Sequence, residues 1–163
     1  MIIKLKNKDR LIFDEFSFKC CVGRNSLKVR KFEGDKSTPK GLFSFGKVYY
    51  RADRVSAPLT NLKIKKIKKK MGWCNDPLNE NYNKEIMLSR KNKGEKLFRS
   101  DNSYDIILVI NYNTKNVIPY KGSAIFVHLT KSYSPTMGCI AVKKNDLLVL
   151  LKLINTKTKI KIS

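Results

Sequence analysis

The sequence predicts a single, mainly β domain with one clear helix near its C-terminus. Three observations carry that reading. Short apolar runs rich in β-branched residues recur along the 163 residues, several with the period-two alternation of a half-buried strand. Turn signals built on Gly, Asn, Asp, Ser and Pro separate these runs. Near the C-terminus, Leu147, Leu148, Leu151 and Ile154 recur at helical spacing. The chain is long enough to bury a sizeable core. Its 42% apolar and 10% aromatic content fits a folded domain better than a disordered chain. No internal repeat or low-complexity linker divides it, so residues 1–163 are expected to form one domain.

Taken in order, Ile2 to Leu5 and Leu11 to Phe13 form a predicted hairpin around Asn7-Lys8-Asp9. Residues 16–20 alternate and predict a strand with one buried face. Gly23-Arg24-Asn25-Ser26 is a turn. A loop over residues 36–40 leads into a strand from Leu42 to Tyr50, with Gly41 freeing the backbone after Pro39. Residues 52–61 and 71–89 read as long polar connections, and loops of that length often carry function. Trp73 and Tyr82 lie in the second, either as satellite core beneath it or as a wall of a cleft. Residues 104–110 are apolar on both faces and predict a central strand. Asn145 is expected to cap the helix, and residues 158–162 to close the chain as an edge strand blunted by Lys159 and Lys161.

The functional reading centres on Gly122 to Val142. This stretch holds the only histidine, His128, and a cysteine, Cys139, preceded by Gly138. Ala124-Ile125-Phe126-Val127 delivers His128 at a strand end, and Ile140-Ala141-Val142 carries the chain away from Cys139 on the next strand. A thiol and an imidazole at the mouths of neighbouring strands is the arrangement that a cysteine nucleophile with a histidine base requires. Gly138 permits a close backbone approach, so the N–H groups near Gly138 and Cys139 can face a developing oxyanion. An ordinary buried cysteine beside an unrelated histidine is the competing reading.

The formal net charge is +22, which points to an anionic partner: nucleic acid, anionic lipid or an anionic wall polymer. Lys65, Lys66, Lys68, Lys69 and Lys70 surround only Ile64 and Ile67, without the aromatics on which bases stack. That run reads as a solvated face, and no specific nucleic-acid partner is expected. The other cysteines, Cys20, Cys21 and Cys74, form no CxxC pair, and one histidine cannot complete a usual zinc set. No metal and no other cofactor is expected, and the three thiols read as core fillers; a Cys20–Cys74 disulfide has no specific support. No apolar signal-peptide region is visible within residues 1–13, and no run approaches the ~18 apolar residues of a membrane span.

Thr136-Met137-Gly138-Cys139, placed after His128, resembles the Ser/Thr-x-Gly-Cys motif of the L,D-transpeptidase family, the YkuD-type catalytic domain that acts on bacterial peptidoglycan. Further matches run through Glu33-Gly34-Asp35, Thr38 to Phe43, Tyr50-Arg51-Ala52-Asp53-Arg54, Gly72 to Pro77, Tyr82-Asn83, and Arg99, Asp101 and Tyr104-Asp105. They resemble a short proteobacterial branch and span most of the chain. The resemblance implies a β-sandwich or barrel-like fold with a loop-lined catalytic cleft at its rim. It also implies a monomer acting in the periplasm or cell wall on peptidoglycan stem peptides. The implied activity is cross-linking through a thioester on Cys139; trimming by water at the same site is the alternative, and a non-enzymatic basic protein binding anionic surfaces is a rival of a different class. Arg51, Arg54 and Arg99 are candidates to hold stem-peptide carboxylates. Trp73 and Tyr82 are candidate cleft walls. His128 needs an orienting group: a backbone carbonyl by resemblance, with Ser123 and Thr136 as weaker side-chain candidates. Two departures stand out. The loop from His128 to Cys139 is short, and Ala141 stands where many members have Arg. The second departure bears on which stem-peptide bond is attacked; a few similar members join third to first stem residues.

Overall fold

The structure, a computed structural model, describes residues 1–163. β1 (Ile2–Lys6) and β2 (Arg10–Phe13) form the expected antiparallel hairpin, and β3 (Phe16–Cys21) pairs with β2. Alternation sends Ile3, Leu5, Leu11, Phe13, Phe18 and Cys20 inward. β4 (Leu27–Lys28) and β5 (Thr38–Pro39) are a short parallel pair bracketing the loop that carries Lys31 to Ser37. β6 (Gly41–Tyr50) is long and pairs with three other strands along its length. β7 (Ile64–Lys66) runs beside its end with all three residues exposed. β8 (Met71–Trp73), β9 (Glu85–Met87) and β10 (Glu95–Lys96) make a separate small antiparallel sheet. β11 (Ile106–Ile110), β12 (Phe126–Leu129), β13 (Ile140–Val142), α1 (Lys144–Leu153) and β14 (Lys159–Ile162) complete the chain.

The main sheet closes on itself. Pairing runs β6, β11, β12, β13, β3, β2, β1, β14 and back to β6. Closure removes the free edges that open sheets must protect. The interior core takes one face of every strand in this ring, joined by Leu147, Leu150, Leu151 and Ile154 of α1. A second core covers the outer face of β11 and β12 with Met71, Trp73 and Leu97 from the small sheet and its flank. This is why Ile106 to Ile110 is apolar throughout: Ile106, Leu108 and Ile110 enter the interior core, and Ile107 and Val109 the second.

The fold class agrees with the mainly β, barrel-like expectation, and three details differ. β14 is not an edge strand, because β1 and β6 flank it; Lys159 and Lys161 are exposed through alternation alone. Asn145 does not cap α1: the helix begins at Lys144 after Lys143, which has extended backbone and makes no side-chain cap. Residues 71–89 are not one loop but contain β8 and β9. The cysteines follow the core-filler reading: all four are free and buried, and Cys20 and Cys74 are not bonded to each other.

Candidate functional site

β12 and β13 lie side by side and parallel, with Val127 opposite Ile140 and His128 opposite Ala141. Val127, Leu129, Ile140 and Val142 point into the interior core. Period two then sends Phe126, His128, Cys139 and Ala141 to the other face, where Phe126 and Cys139 border the second core. His128 lies two residues further along than the level of Cys139, an offset of ~6.6 Å. Both side chains line one open cleft of about 1300 Å³, together with Tyr104, Thr136, Met137 and Ala141.

The imidazole is oriented by backbone. Its Nδ1 lies 3.0 Å from the carbonyl oxygen of Leu129. With that carbonyl accepting, the Nδ1 position carries the hydrogen and Nε2 keeps a free lone pair. The Tyr104 ring stands edge-on to His128, centroids 5.2 Å apart, and its hydroxyl donates to Glu95. Burial lowers the basicity of His128 below its usual range, so the ring is neutral near pH 7.

The thiol of Cys139 donates to the Ala124 carbonyl oxygen at 3.2 Å and lies 3.4 Å from the Phe126 N–H. Burial pushes it up to about 12, and Glu95 adds to that; the Phe126 N–H and Lys31 pull the other way. The resting pair is therefore neutral thiol and neutral imidazole. The cationic surroundings of the chain do not make a resting thiolate, because burial outweighs them.

Gly138 has φ +135°, and a Cβ there would lie 2.9 Å from the Ser37 carbonyl oxygen. Only glycine permits this backbone to pass that close. Its own N–H is occupied, donating to Thr136 Oγ1 at 3.1 Å, while Thr136 Oγ1 donates to the Cys139 carbonyl at 2.6 Å. Of the two expected oxyanion donors, the Cys139 N–H alone has no intramolecular acceptor. Thr136 thus braces the turn into the cysteine and does not touch His128. Ser123 donates to Glu33 at 2.8 Å and does not orient the histidine either.

The remaining candidates divide. Arg54 and Arg99 line the cleft. Arg54 donates to Asp105 at 2.9 Å and to two carbonyls; Arg99 pairs with Asp101 and lies 4.9 Å over the Tyr104 ring. Arg51 is not in the cleft. It is buried, pairs with Asp53 at 2.8 Å, donates to the Arg99 carbonyl at 2.7 Å and packs 3.5 Å over Phe98. Trp73 is core, wedged edge-on against Phe126 with its indole N–H donating to Asn83. Tyr82 is buried as well, donating to Glu33 and accepting from the Gly122 N–H at 2.9 Å. Trp73 and Tyr82 thus take the satellite-core alternative and not the cleft wall, and Arg51, a candidate for stem-peptide carboxylates, is turned inward to a structural ion pair.

The Leu129 carbonyl is the backbone orienting group that the resemblance implies for His128, and the residues missed from sequence are Lys31 and Glu95. Lys31 lies in the cleft wall and pairs with Asp35 at 2.7 Å, both side chains nearly inaccessible. Its four-residue spacing from Asp35 was the one available signal. Glu95 carries none. No group of metal-ligating side chains is assembled anywhere in the chain.

The family model for the L,D-transpeptidase catalytic domain (YkuD) matches residues 3–162 of this chain. The chain belongs to the L,D-transpeptidase family. Members act on peptidoglycan stem peptides and typically work in the periplasm or cell wall. No curated protein matches the sequence significantly. The match covers nearly the whole chain, so the closed barrel, the small sheet and the cleft between them all fall within the L,D-transpeptidase domain. No helix is long and apolar enough to cross a membrane.

Proposed function

We propose that this L,D-transpeptidase cross-links stem peptides by acyl transfer through Cys139, with His128 as general base and acid. One observation carries the reading: Cys139 and His128 share one face of adjacent parallel strands and open onto the same cleft, with Nε2 free. Because both groups rest neutral, the proton moves as the donor binds. Cys139 Sγ bonds to the donor carbonyl carbon while its proton passes to His128 Nε2. The Cys139 N–H steadies the oxyanion. The carbon–nitrogen bond then breaks, and the leaving amine takes the proton from His128. A second stem's amine attacks the thioester, gives a proton to His128 and releases the thiol. Water in place of that amine makes the same site a carboxypeptidase.

Ala141 bears on which bond is attacked. It lines the cleft on the same side as Cys139, level with His128, where many members present an Arg. An Arg there can pair bidentately with a donor carboxylate, and alanine cannot. The donor is then held by Arg54 or Arg99, in a register that joins third to first stem residues. The test is tandem mass spectrometry of products from defined tri- and tetrapeptide muropeptides, with Cys139→Ala as control. Dimers linked from third to first residues, absent with the variant, are expected. Only dimers joining third residues, with loss of a terminal D-residue, would defeat the register while leaving the transpeptidase; turnover by folded Cys139→Ala would defeat the nucleophile.

A further inference from the structure

The site has an electrostatic gap. Acyl transfer at Cys139 places negative charge on sulfur and then on the substrate oxygen, and such charge usually meets two or more donors. The Gly138 N–H is already spent on Thr136, so of the two amides at the Gly138–Cys139 step only that of Cys139 is free. Glu95 lines the same cleft, and negative charge on its carboxyl opposes charge at Cys139.

One cation is built into the same wall. Lys31 comes from the loop between β4 and β5, and its side chain is 4% exposed. Its alkyl stem runs against Gly122, where a Cβ would lie 2.9 Å from Lys31 Cε. Its ammonium lies 3.7 Å from the point a Cβ on Gly138 would occupy, one residue before the nucleophile. Asp35 Oδ1 takes one of its three N–H groups at 2.7 Å, and the other two have no protein acceptor. Asp35 is itself fixed by the N–H groups of Phe32 and Ser37, so it anchors the lysine in place. Asp35 balances the charge of the ammonium but leaves two of its N–H groups unmatched at the cleft, and buried donors without an acceptor are costly until one arrives.

We propose that Lys31 is a further catalytic residue: its ammonium supplies, beside the Cys139 N–H, the second donor to the negative charge that forms during acyl transfer. The proposal rests on Cys139 being the nucleophile. Asp35 is the positioning residue that aims the ammonium. In the chemical step no proton leaves Lys31. It receives a hydrogen bond's share of the oxyanion charge as the carbonyl carbon becomes tetrahedral, and gives it back when the leaving amine departs.

The test measures iodoacetamide alkylation of each cysteine by mass spectrometry across pH, alongside turnover of muropeptides. Cys139 alone of the four thiols lines the cleft, so it is the one expected to label. In Lys31→Met, labelling of Cys139 at a fixed pH slows about tenfold, the effect of withdrawing one nearby charge in a partly screened site. Turnover falls by about 10²-fold, as for loss of one oxyanion donor. A merely structural lysine gives the opposite sign, because a loosened fold exposes buried thiols and speeds their labelling. Asp35→Asn keeps an Oδ1 acceptor to hold the ammonium and removes only the competing negative charge, so Cys139 labels at least as fast as in the parent protein while Cys20, Cys21 and Cys74 stay slow. That variant decides the question if Lys31→Met does not fold. Unchanged or faster Cys139 labelling in folded Lys31→Met, or slower labelling in folded Asp35→Asn, overturns the proposal. If Cys139 labels no faster than Cys20 in the parent protein, the nucleophile assignment itself fails, whatever the variants do.

Discussion

Replacing Gly138 by alanine tests how the turn into Cys139 is built. The glycine has φ +135°, a conformation that side-chain-bearing residues rarely adopt, and forcing it costs about 1–3 kcal/mol. The new Cβ also lies 2.9 Å from the Ser37 carbonyl oxygen. That atom is backbone of a fully buried residue beside the β5 pairing, so it cannot swing aside as a side-chain tip would. Adding the clash gives a loss of about 2–4 kcal/mol, which for a domain of this size lowers Tm by roughly 5–15 °C. Relief comes by moving Cys139, and misplacing a reacting group by about 1 Å costs on the order of 10²-fold in rate. Gly34 is the internal control: its φ is +78°, but an added Cβ meets nothing within 4 Å. Gly34→Ala therefore carries only the backbone cost of about 1–2 kcal/mol. The assay is urea unfolding of both variants with parallel turnover of muropeptides. If Gly138→Ala unfolds within error of the parent protein, or loses no more than Gly34→Ala, the close-approach argument is wrong.

Arg51→Ala is expected to lose about 1–3 kcal/mol of stability through its bonds to Asp53 and the Arg99 carbonyl and its packing on Phe98, with KM altered less than twofold in the folded enzyme; a large KM rise at unchanged stability would return Arg51 to the substrate site. Burial opposes ionisation of Asp35, but Lys31 and the N–H groups of Ser37 and Phe32 outweigh it and hold the carboxyl at about 2, below its usual 3.8. A carboxyl with a lowered folded-state pKa stabilises above the unfolded value, so this contribution is lost as pH falls from 3.8 towards about 2, and Asp35→Asn should show a flatter stability profile there in pH-dependent unfolding. The +22 charge, with Lys65, Lys66, Lys68, Lys69 and Lys70 all exposed, predicts binding to anionic polymers that weakens steeply as salt rises; sedimentation with purified wall at low and high salt checks it, and salt-independent binding would show that the basic surface is not what holds the wall.

What could be read in advance and what could not follow from how far apart in the chain each determinant lies. Cys139 and His128 are legible because a few local features locate them: two short strands, one glycine and a separation of eleven positions. Ile106 to Ile110 was legible as central because burial on both faces leaves no polar register. Sequence leaves Tyr82 and Trp73 open between core and cleft wall and places Arg51 in the cleft, because nothing local says which way they turn. Tyr82 meets Glu33 across 49 positions and Arg51 meets the Arg99 carbonyl across 48. β14 was misread as an edge for the same reason: its alternation is visible in sequence, but its partners are the first strand of the chain and the start of β6.

Lys31 illustrates the limit most sharply. Among 35 Lys and Arg residues a single lysine carries no signal, and this one acquires meaning only when the β4–β5 loop folds it against Gly122 and Gly138. The protonation state of the nucleophile is hidden in the same way. A chain of charge +22 suggests a field that favours thiolate, yet the Cys139 thiol stands at about 12. Net charge acts through screened solvent, whereas desolvation acts on the sulfur directly. The same parallel pairing of β12 and β13 that makes the Cys–His pair recognisable also seats the sulfur under Phe126 and Ala124, out of water. Catalysis by this pair therefore depends on substrate-coupled proton transfer and on nearby fixed donors, so the neighbours of Cys139 determine its reactivity more than the basic surface does.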